Sequence, residues 1–200
     1  MAGSPEYWNH NTAYHPWLLR IAATHRGDVL DVGCGDGLLA QRLAAVSRSV
    51  TGIDSDAAAI ERARNRLADQ ANVTVSHENF HAFDAGARRY DLITFVATLH
   101  HMDLRAALSK ARDLLTPTGE IAVVGLATNK SVWDWAWAVA CVPPARIGSW
   151  LHGETRDVGG AVANPREGLG EIRRTVAEVL SGASVRRALY YRYLLRWTNS

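Results

Sequence analysis

Three glycines at alternate positions follow a short apolar segment, residues 29–32, that carries one acid. They are Gly33, Gly35 and Gly37, and the acid is Asp31. Glycine adopts positive φ angles without strain and lets a ligand approach the backbone, because it has no Cβ. The turn leaves free N–H groups where a helix begins, at the carboxyl end of a strand, where α/β sheets bind ligands. An acid attracts a cationic amine or sulfonium and repels a pyrophosphate, so the pattern predicts a positively charged ligand.

A second acid, Asp54, ends the next apolar segment along the chain. In nucleotide-binding α/β units this is the position of a carboxylate that accepts hydrogen bonds from ribose hydroxyls. A dinucleotide-binding turn has the spacing G-x-G-x-x-G, whereas the spacing here is G-x-G-x-G. The spacing therefore disfavours a nicotinamide-dependent reductase. We keep this class of enzyme as an alternative, and binding of NAD(P)H would support it.

The first acid, the glycine turn and the second acid resemble the cofactor signature of the class I S-adenosylmethionine-dependent methyltransferases. The resemblance extends over residues 28–126 and includes the YDLI sequence at residues 90–93. It implies that S-adenosyl-L-methionine binds and leaves as S-adenosyl-L-homocysteine after methyl transfer. It assigns cofactor binding to Tyr14, Asp31, Gly33, Gly35, Gly37, Asp54, Ser55, Asn79, Phe80 and Val96.

Two of these assignments, Asn79 and Tyr14, have a structural alternative. In the resembled family Asn79 stands where an acidic or amide side chain often bonds adenine, and Phe80 where an apolar contact follows. The family more often has Asp there, and Asn is also a common turn residue. Tyr14 lies in an aromatic leader that is either a lid, with its hydroxyl given to a carboxylate or substrate, or a helix packed on the sheet edge.

Two adjacent histidines, His100 and His101, follow the fourth predicted strand on its ligand side. An imidazole with an unperturbed pKa of about 6.5 can remove a proton from an acceptor group. The alternative is that one histidine caps the next helix and the other packs. With Asp103 they are too close in sequence to form a convincing metal site, so we expect no metal. The histidines are the catalytic candidates.

The apolar segments alternate with helical patterns, which predicts a parallel sheet with right-handed crossovers. With the resemblance, the expected fold is α/β: a doubly wound, mainly parallel seven-stranded Rossmann-like sheet with helices on both faces. Asp54 or Ser55 is expected to cap the helix after the second strand. Residues 116–119 predict a sharp turn, and the tail predicts either a hairpin with an atypical turn or one long edge strand. Its arginines, Arg186, Arg187, Arg192 and Arg196, are expected to be solvated.

The chain is expected to form a single methyltransferase domain, residues 1–200. Within it we predict an N-terminal lid (1–27), a cofactor-binding core (28–126), an insertion after the fifth strand (127–170) and a C-terminal helix with strands (171–200). The insertion holds a Trp-rich helical segment, residues 131–150. This segment is a cap over an apolar or aromatic acceptor, a patch that touches a membrane surface, or a packing or homodimer contact.

Composition excludes several classes of function. Of 200 residues, 48% are hydrophobic and 21% charged, with a net charge of +2, which is too small to indicate nucleic-acid binding. No signal peptide or membrane-spanning run is visible, which predicts a cytoplasmic protein without stable membrane insertion.

The sequence lacks the N-P-P-Y/F motif of adenine-in-DNA and glutamine methylation and the Pro-Cys pair of cytosine methylation. We therefore expect a small-molecule acceptor, and a cofactor-binding protein without transferase activity is the alternative.

Overall fold

The computed structural model describes residues 7–128, 130, 165–189 and 192–199. Their core is one seven-stranded sheet with the spatial order β3-β2-β1-β4-β5-β7-β6. Strands β1 to β5 are parallel, whereas β7 runs antiparallel to both β5 and β6. The strands are β1 (Asp28–Val32), β2 (Ser49–Asp54), β3 (Val73–His77), β4 (Tyr90–Val96), β5 (Leu115–Leu126), β6 (Ser184–Arg187) and β7 (Arg192–Thr198).

Helices cover both faces of this sheet. Side chains from the first three helices, such as Leu18, Leu39 and Ala63, pack in one apolar cluster. Leu108 and Ile172, from the last two, pack in a second cluster on the opposite face. The helices are α1 (His15–His25), α2 (Leu38–Ala44), α3 (Ala57–Arg66), α4 (Leu104–Asp113) and α5 (Leu169–Val179), with short 3-10 helices at Thr12–Tyr14 and Leu99–His101.

The central strands form continuous apolar runs because both of their faces are covered. In β4, Leu92 and Ile93 are both fully buried, yet Leu92 belongs to the α1–α3 cluster and Ile93 to the α4–α5 cluster. This alternation follows from the two-residue period of a strand. The predicted doubly wound, mainly parallel sheet of seven strands is confirmed.

Several local predictions were wrong. Residues 116–119 are not a separate turn: they lie within β5, which starts beside Tyr90 and shifts register before Leu92. Asp56, rather than Asp54 or Ser55, caps α3, because its side chain accepts a hydrogen bond from Ala58 N at 2.9 Å. For the tail, the hairpin is confirmed and the alternative of one long edge strand is wrong. The predicted Trp-rich insertion lies mostly outside the described residues.

The arginines of the hairpin are not uniformly solvated. Arg192 is half-buried, and its guanidinium donates to Asn11 Oδ1 from Nε at 2.9 Å and from Nη2 at 2.7 Å. Burial lowers the pKa of Arg192 to about 10. The hydroxyl of Tyr14 donates to the Leu189 carbonyl at 2.7 Å. These bonds fasten the N-terminal leader to the C-terminal hairpin.

Buried Glu120 links three elements. Its side chain is 3% exposed and accepts hydrogen bonds from Arg196 on β7, while His25 Nε2 at the end of α1 lies 3.3 Å from Oε2. We predict that Glu120→Gln lowers the free energy of unfolding by about 1 to 3 kcal/mol, because hydrogen bonds to a buried charge are lost. We expect this moderate change in the free energy of unfolding because Arg196 is 52% exposed, so water screens its charge.

Denaturant unfolding measures this change. Glu178→Gln is the matched control, because Glu178 and its partner Arg105 are 48% and 56% exposed. The control should change the free energy by less than about 1 kcal/mol. Equal effects of the two substitutions would contradict a structural role for Glu120.

Candidate functional site

The glycine turn joins the end of β1 to α2 and is held against β2. The N–H groups of Gly33 and Cys34 both donate to the Ile53 carbonyl, at 2.8 and 3.1 Å. Gly33 has φ of 73°, and a Cβ there would lie 2.3 Å from Thr98 Oγ1. Gly37 has φ of 80° and precedes α2 directly. Any side chain at Gly33 would therefore require both a strained backbone and displacement of Thr98.

Asp54 holds the tip of this turn. Its Oδ2 accepts a hydrogen bond from Gly35 N and its Oδ1 from Asp56 N, each at 2.9 Å. Each carboxylate oxygen can accept more than one hydrogen bond. The half-buried carboxylate thus keeps acceptor capacity for hydroxyl groups of a ligand.

Asp31 is a buried carboxylate, and one of its two oxygens accepts no hydrogen bond from the described residues. It is 1% exposed; Oδ1 accepts from Thr94 Oγ1 at 2.8 Å, while no described residue bonds the buried Oδ2. Burial raises the pKa of Asp31 to about 7, against the opposing effect of the Thr94 hydrogen bond. A cationic group that donates to Oδ2 would remove the cost of an unpaired buried acceptor.

A cavity of about 500 Å³ lies over the carboxyl ends of β1, β2 and β4. This is the point where the strand order reverses direction, which is where open α/β sheets bind ligands. Most of the predicted cofactor residues line it, whereas Gly37 and Tyr14 do not. The predicted residues in its lining are Asp31, Gly33, Gly35, Asp54, Ser55, Asn79, Phe80 and Val96.

Asn79 and Phe80 have structural roles as well. Asn79 is exposed, and its Oδ1 accepts from His81 N at 2.9 Å, so the residue closes a turn while it lines the cavity. Phe80 is 2% exposed and packs edge-on against Phe95, with ring centroids 5.4 Å apart. Phe80 is therefore mainly a core residue that presents little surface to the cavity.

The leader contributes residues that the sequence did not assign. Tyr14 packs away from the cavity lining, because its hydroxyl is bonded to the hairpin. Tyr7 lines the cavity instead and donates to Asp36 Oδ1 at 3.0 Å. Asp36 also pairs with the buried Arg66 guanidinium at 2.8 Å. Asp36, the acid inside the glycine turn, is the sequence feature that could have indicated this network. Its partners Tyr7 and Arg66 are distant in sequence, so the sequence alone did not identify them.

His15 is a buried hydrogen-bonding group in the cavity lining. It is 4% exposed, and its Nδ1 lies 3.0 Å from Arg42 Nη1. A guanidinium only donates, so Nδ1 accepts and the proton of the neutral ring is on Nε2. Burial and the neighbouring Arg42 charge lower the pKa of His15 to about 3, so the ring stays neutral.

The two histidines lie after β4, on the short 3-10 helix Leu99–His101, with ring centroids 4.0 Å apart. Neither caps α4, because the side chain of Asp103 accepts from Ala106 N at 2.8 Å and occupies that role. His101 is exposed and lines the cavity described above. His100 lines a second cavity.

The second cavity has a volume of about 580 Å³ and lies beyond the end of β5. His101 and Met102 belong to the linings of both cavities, so the two spaces are neighbours. Half of its twelve lining residues are apolar and half are polar or ionisable, so the cavity offers both apolar surface and several polar groups to a small molecule. The remaining lining residues are Leu99, His100, Asp103, Leu104, Leu126, Pro165, Arg166, Glu167, Ile172 and Tyr193.

The described part of the chain contains no group of three or more His, Cys, Asp or Glu side chains arranged to hold a metal ion. Within the same residues, none of the helices is long and apolar enough to cross a membrane.

Comparisons with known proteins place this site in a family. Residues 29–119 match a family model described as a methyltransferase domain. An uncharacterized methyltransferase of Mycobacterium tuberculosis is 37% identical over 195 residues, which cover 95% of this chain and 96% of that protein. A ubiquinone biosynthesis O-methyltransferase of Cereibacter sphaeroides is 33% identical over 132 residues. The match covers 64% of this chain and 51% of that protein.

A solved methyltransferase structure has a similar fold. The N-methyltransferase NodS from Bradyrhizobium japonicum, solved in complex with S-adenosyl-L-homocysteine, superimposes with a TM-score of 0.64 at 20% identity. The match covers 96% of this chain and 88% of NodS. The chain therefore belongs to the class I S-adenosylmethionine-dependent methyltransferases and uses S-adenosyl-L-methionine as its cofactor.

Proposed function

We propose that the chain transfers the methyl group of S-adenosylmethionine to an oxygen, nitrogen or carbon atom of a small-molecule acceptor. The observation that carries this proposal is that His101 and Met102 form a common wall between the two cavities. One cavity has the lining expected for the cofactor, and the other is a partly apolar space of about 580 Å³ for an acceptor. One relative is named for O-methyl transfer and one fold neighbour for N-methyl transfer, so both atoms stay within the proposal.

The residues of the first cavity fit the chemical groups of the cofactor. Asp54 accepts from ribose hydroxyls with the lone pairs that the backbone leaves unused, and Asn79 hydrogen-bonds the adenine. Asp31, which lines the cavity and has an oxygen that no described residue bonds, would attract the cationic amino group. The neutral His15 ring offers an N–H donor, which suits the carboxylate of the methionine part.

The bound cofactor supplies a methyl group that its sulfonium has already activated for displacement. The protein must hold the acceptor atom in line with that methyl and keep water out. His101, at the wall between the cavities, takes the proton that an oxygen or nitrogen acceptor loses as its bond to the methyl carbon forms. The His100 ring packs against it in a tilted arrangement, with an interplanar angle of 40°.

We predict that affinity for S-adenosylmethionine increases as the pH rises from about 5.5 through about 7, a range in which the α-amino group of the ligand is still protonated. Asp31 is protonated below its pKa of about 7 and must ionise to pair with the cationic amino group. Linkage to one proton gives about a tenfold change in affinity per pH unit on the acidic side. Titration calorimetry from pH 5.5 to 8.5 measures the profile.

Asp31→Asn should remove this pH dependence and weaken binding about tenfold at pH 8, because the charge is lost. Asp28→Asn is the control, since Asp28 lies at the opposite end of the same strand and pairs with Arg48. An unchanged profile in the Asp31 variant would remove this residue from the cofactor site.

We also predict that His101→Asn lowers the rate constant for methyl transfer by about a hundredfold or more when the acceptor is a hydroxyl or protonated amine. Its dissociation constant for S-adenosylmethionine should stay within about twofold of the unmodified protein, because the effect is on chemistry. His100→Asn should have the smaller effect on rate.

A screen of acceptors with methyl-labelled cofactor provides the assay. Transfer of label to a small molecule supports the proposal. Cofactor binding without transfer to any acceptor class would favour the alternative of a binding protein without transferase activity.

A further inference from the structure

The second cavity is lined by a phenol that no residue in the described part of the chain hydrogen-bonds. Tyr193 is 3% exposed as a whole and lines the cavity from β7. A tyrosine hydroxyl that is largely surrounded by protein normally finds a hydrogen-bond partner. The hydroxyl of Tyr193 is therefore available to a ligand in the cavity.

The backbone is adapted to hold this phenol. Gly125 on β5 faces Tyr193 across the antiparallel pair of strands. A Cβ at Gly125 would lie 2.2 Å from Cζ and 2.4 Å from the hydroxyl oxygen of Tyr193. Glycine at this position thus lets the ring lie across β5, beside the cavity.

Glu167 brings a carboxylate to the same part of the cavity. Its backbone carbonyl accepts from Thr128 N at 2.9 Å, and a parallel bridge joins Thr128 to Gly168, so the segment is fixed beyond the end of β5. Glu167 and Tyr193 both line the second cavity. Burial raises the pKa of Tyr193, and the Glu167 charge raises it further.

The charges around Glu167 favour a cation. Partial burial raises the pKa of Glu167, and the neighbouring acids Glu171 and Asp103 raise it further, against the opposing charge of Lys130. Lys130 is bonded to Glu171 at 2.6 Å, and Asp103 is engaged as the cap of α4. Arg166 also lines the cavity but is exposed. A ligand cation beside Glu167 would reduce the like-charge repulsion.

We propose that the second cavity selects acceptors that carry a basic amine on an apolar body, with the ammonium group bound by the Glu167 carboxylate and the Tyr193 hydroxyl. The amine anchors the acceptor, and the atom that receives the methyl group lies at the His101 and Met102 end. This inference rests on the proposed function, because it assumes that the second cavity holds the acceptor.

Three probes of similar shape test the proposal: tryptamine, tryptophol and indole-3-propionate, which end in an ammonium, a hydroxyl and a carboxylate. Their affinities are measured by calorimetry at pH 8 on the full chain saturated with S-adenosylhomocysteine. We expect tryptamine to bind at least tenfold tighter than indole-3-propionate. Equal or tighter binding of the acid would overturn the proposal and assign the anchoring role to Arg166.

Glu167→Gln should weaken tryptamine binding at least tenfold and change tryptophol binding less than twofold, because only the charge interaction is lost. Tyr193→Phe should weaken tryptamine binding about threefold, the loss of one hydrogen bond. Glu178→Gln is the control at an exposed carboxylate outside both cavities. The same loss for all three probes in the Glu167 variant would contradict ammonium recognition.

Affinity for S-adenosylhomocysteine in each variant reports whether the fold and the first cavity are intact. It also separates two failures. Loss of the amine preference, with label still transferred to a small molecule, overturns only the inference on acceptor class. Absence of transfer to any small molecule, with cofactor binding retained, overturns the proposed function.

Discussion

The functional geometry depends on the attachment of the glycine turn to the end of β2. Two backbone N–H groups of the turn donate to Ile53, and a third donates to the Asp54 carboxylate. These bonds join the turn to the neighbouring strand at the point where the sheet order reverses. A turn that moved independently of β2 could not keep Asp31 and Asp54 at a fixed separation, and both acids would lose their relation to one ligand.

Charge is the second constraint on this edge of the sheet. Asp31 is ionisable and buried, and burial, with the charges of Asp31 and Asp54, raises the pKa of the Cys34 thiol beside it. The thiol therefore stays protonated and serves as a small apolar group in the turn. The site concentrates negative charge that a cationic ligand neutralises, and the protein holds this charge with backbone donors and one threonine hydroxyl.

Local patterns in the sequence predicted the sheet well, and they predicted most of the residues that line the first cavity, because the strand periods and the glycine spacing act over short distances. The predictions that were wrong concern side chains whose hydrogen-bond partners are distant in sequence. Arg192 is half-buried because Asn11 accepts from it, and Tyr14 leaves the cavity because Leu189 accepts its hydroxyl. Glu167 and Tyr193 were not predicted to share a cavity, since the bridge at Thr128 and the space above Gly125 appear only in the folded chain.

The bond between the leader and the hairpin affects the order in which the chain can assemble. Asn11 and Arg192 are 181 positions apart, yet Asn11 lies in the wall that the leader contributes to the first cavity. The glycine turn, β1 and β2 precede Arg192 in the chain. A chain synthesised only as far as α5 contains the floor of the cavity but lacks the guanidinium that holds Asn11, so the leader wall is fastened only after β7 has been added.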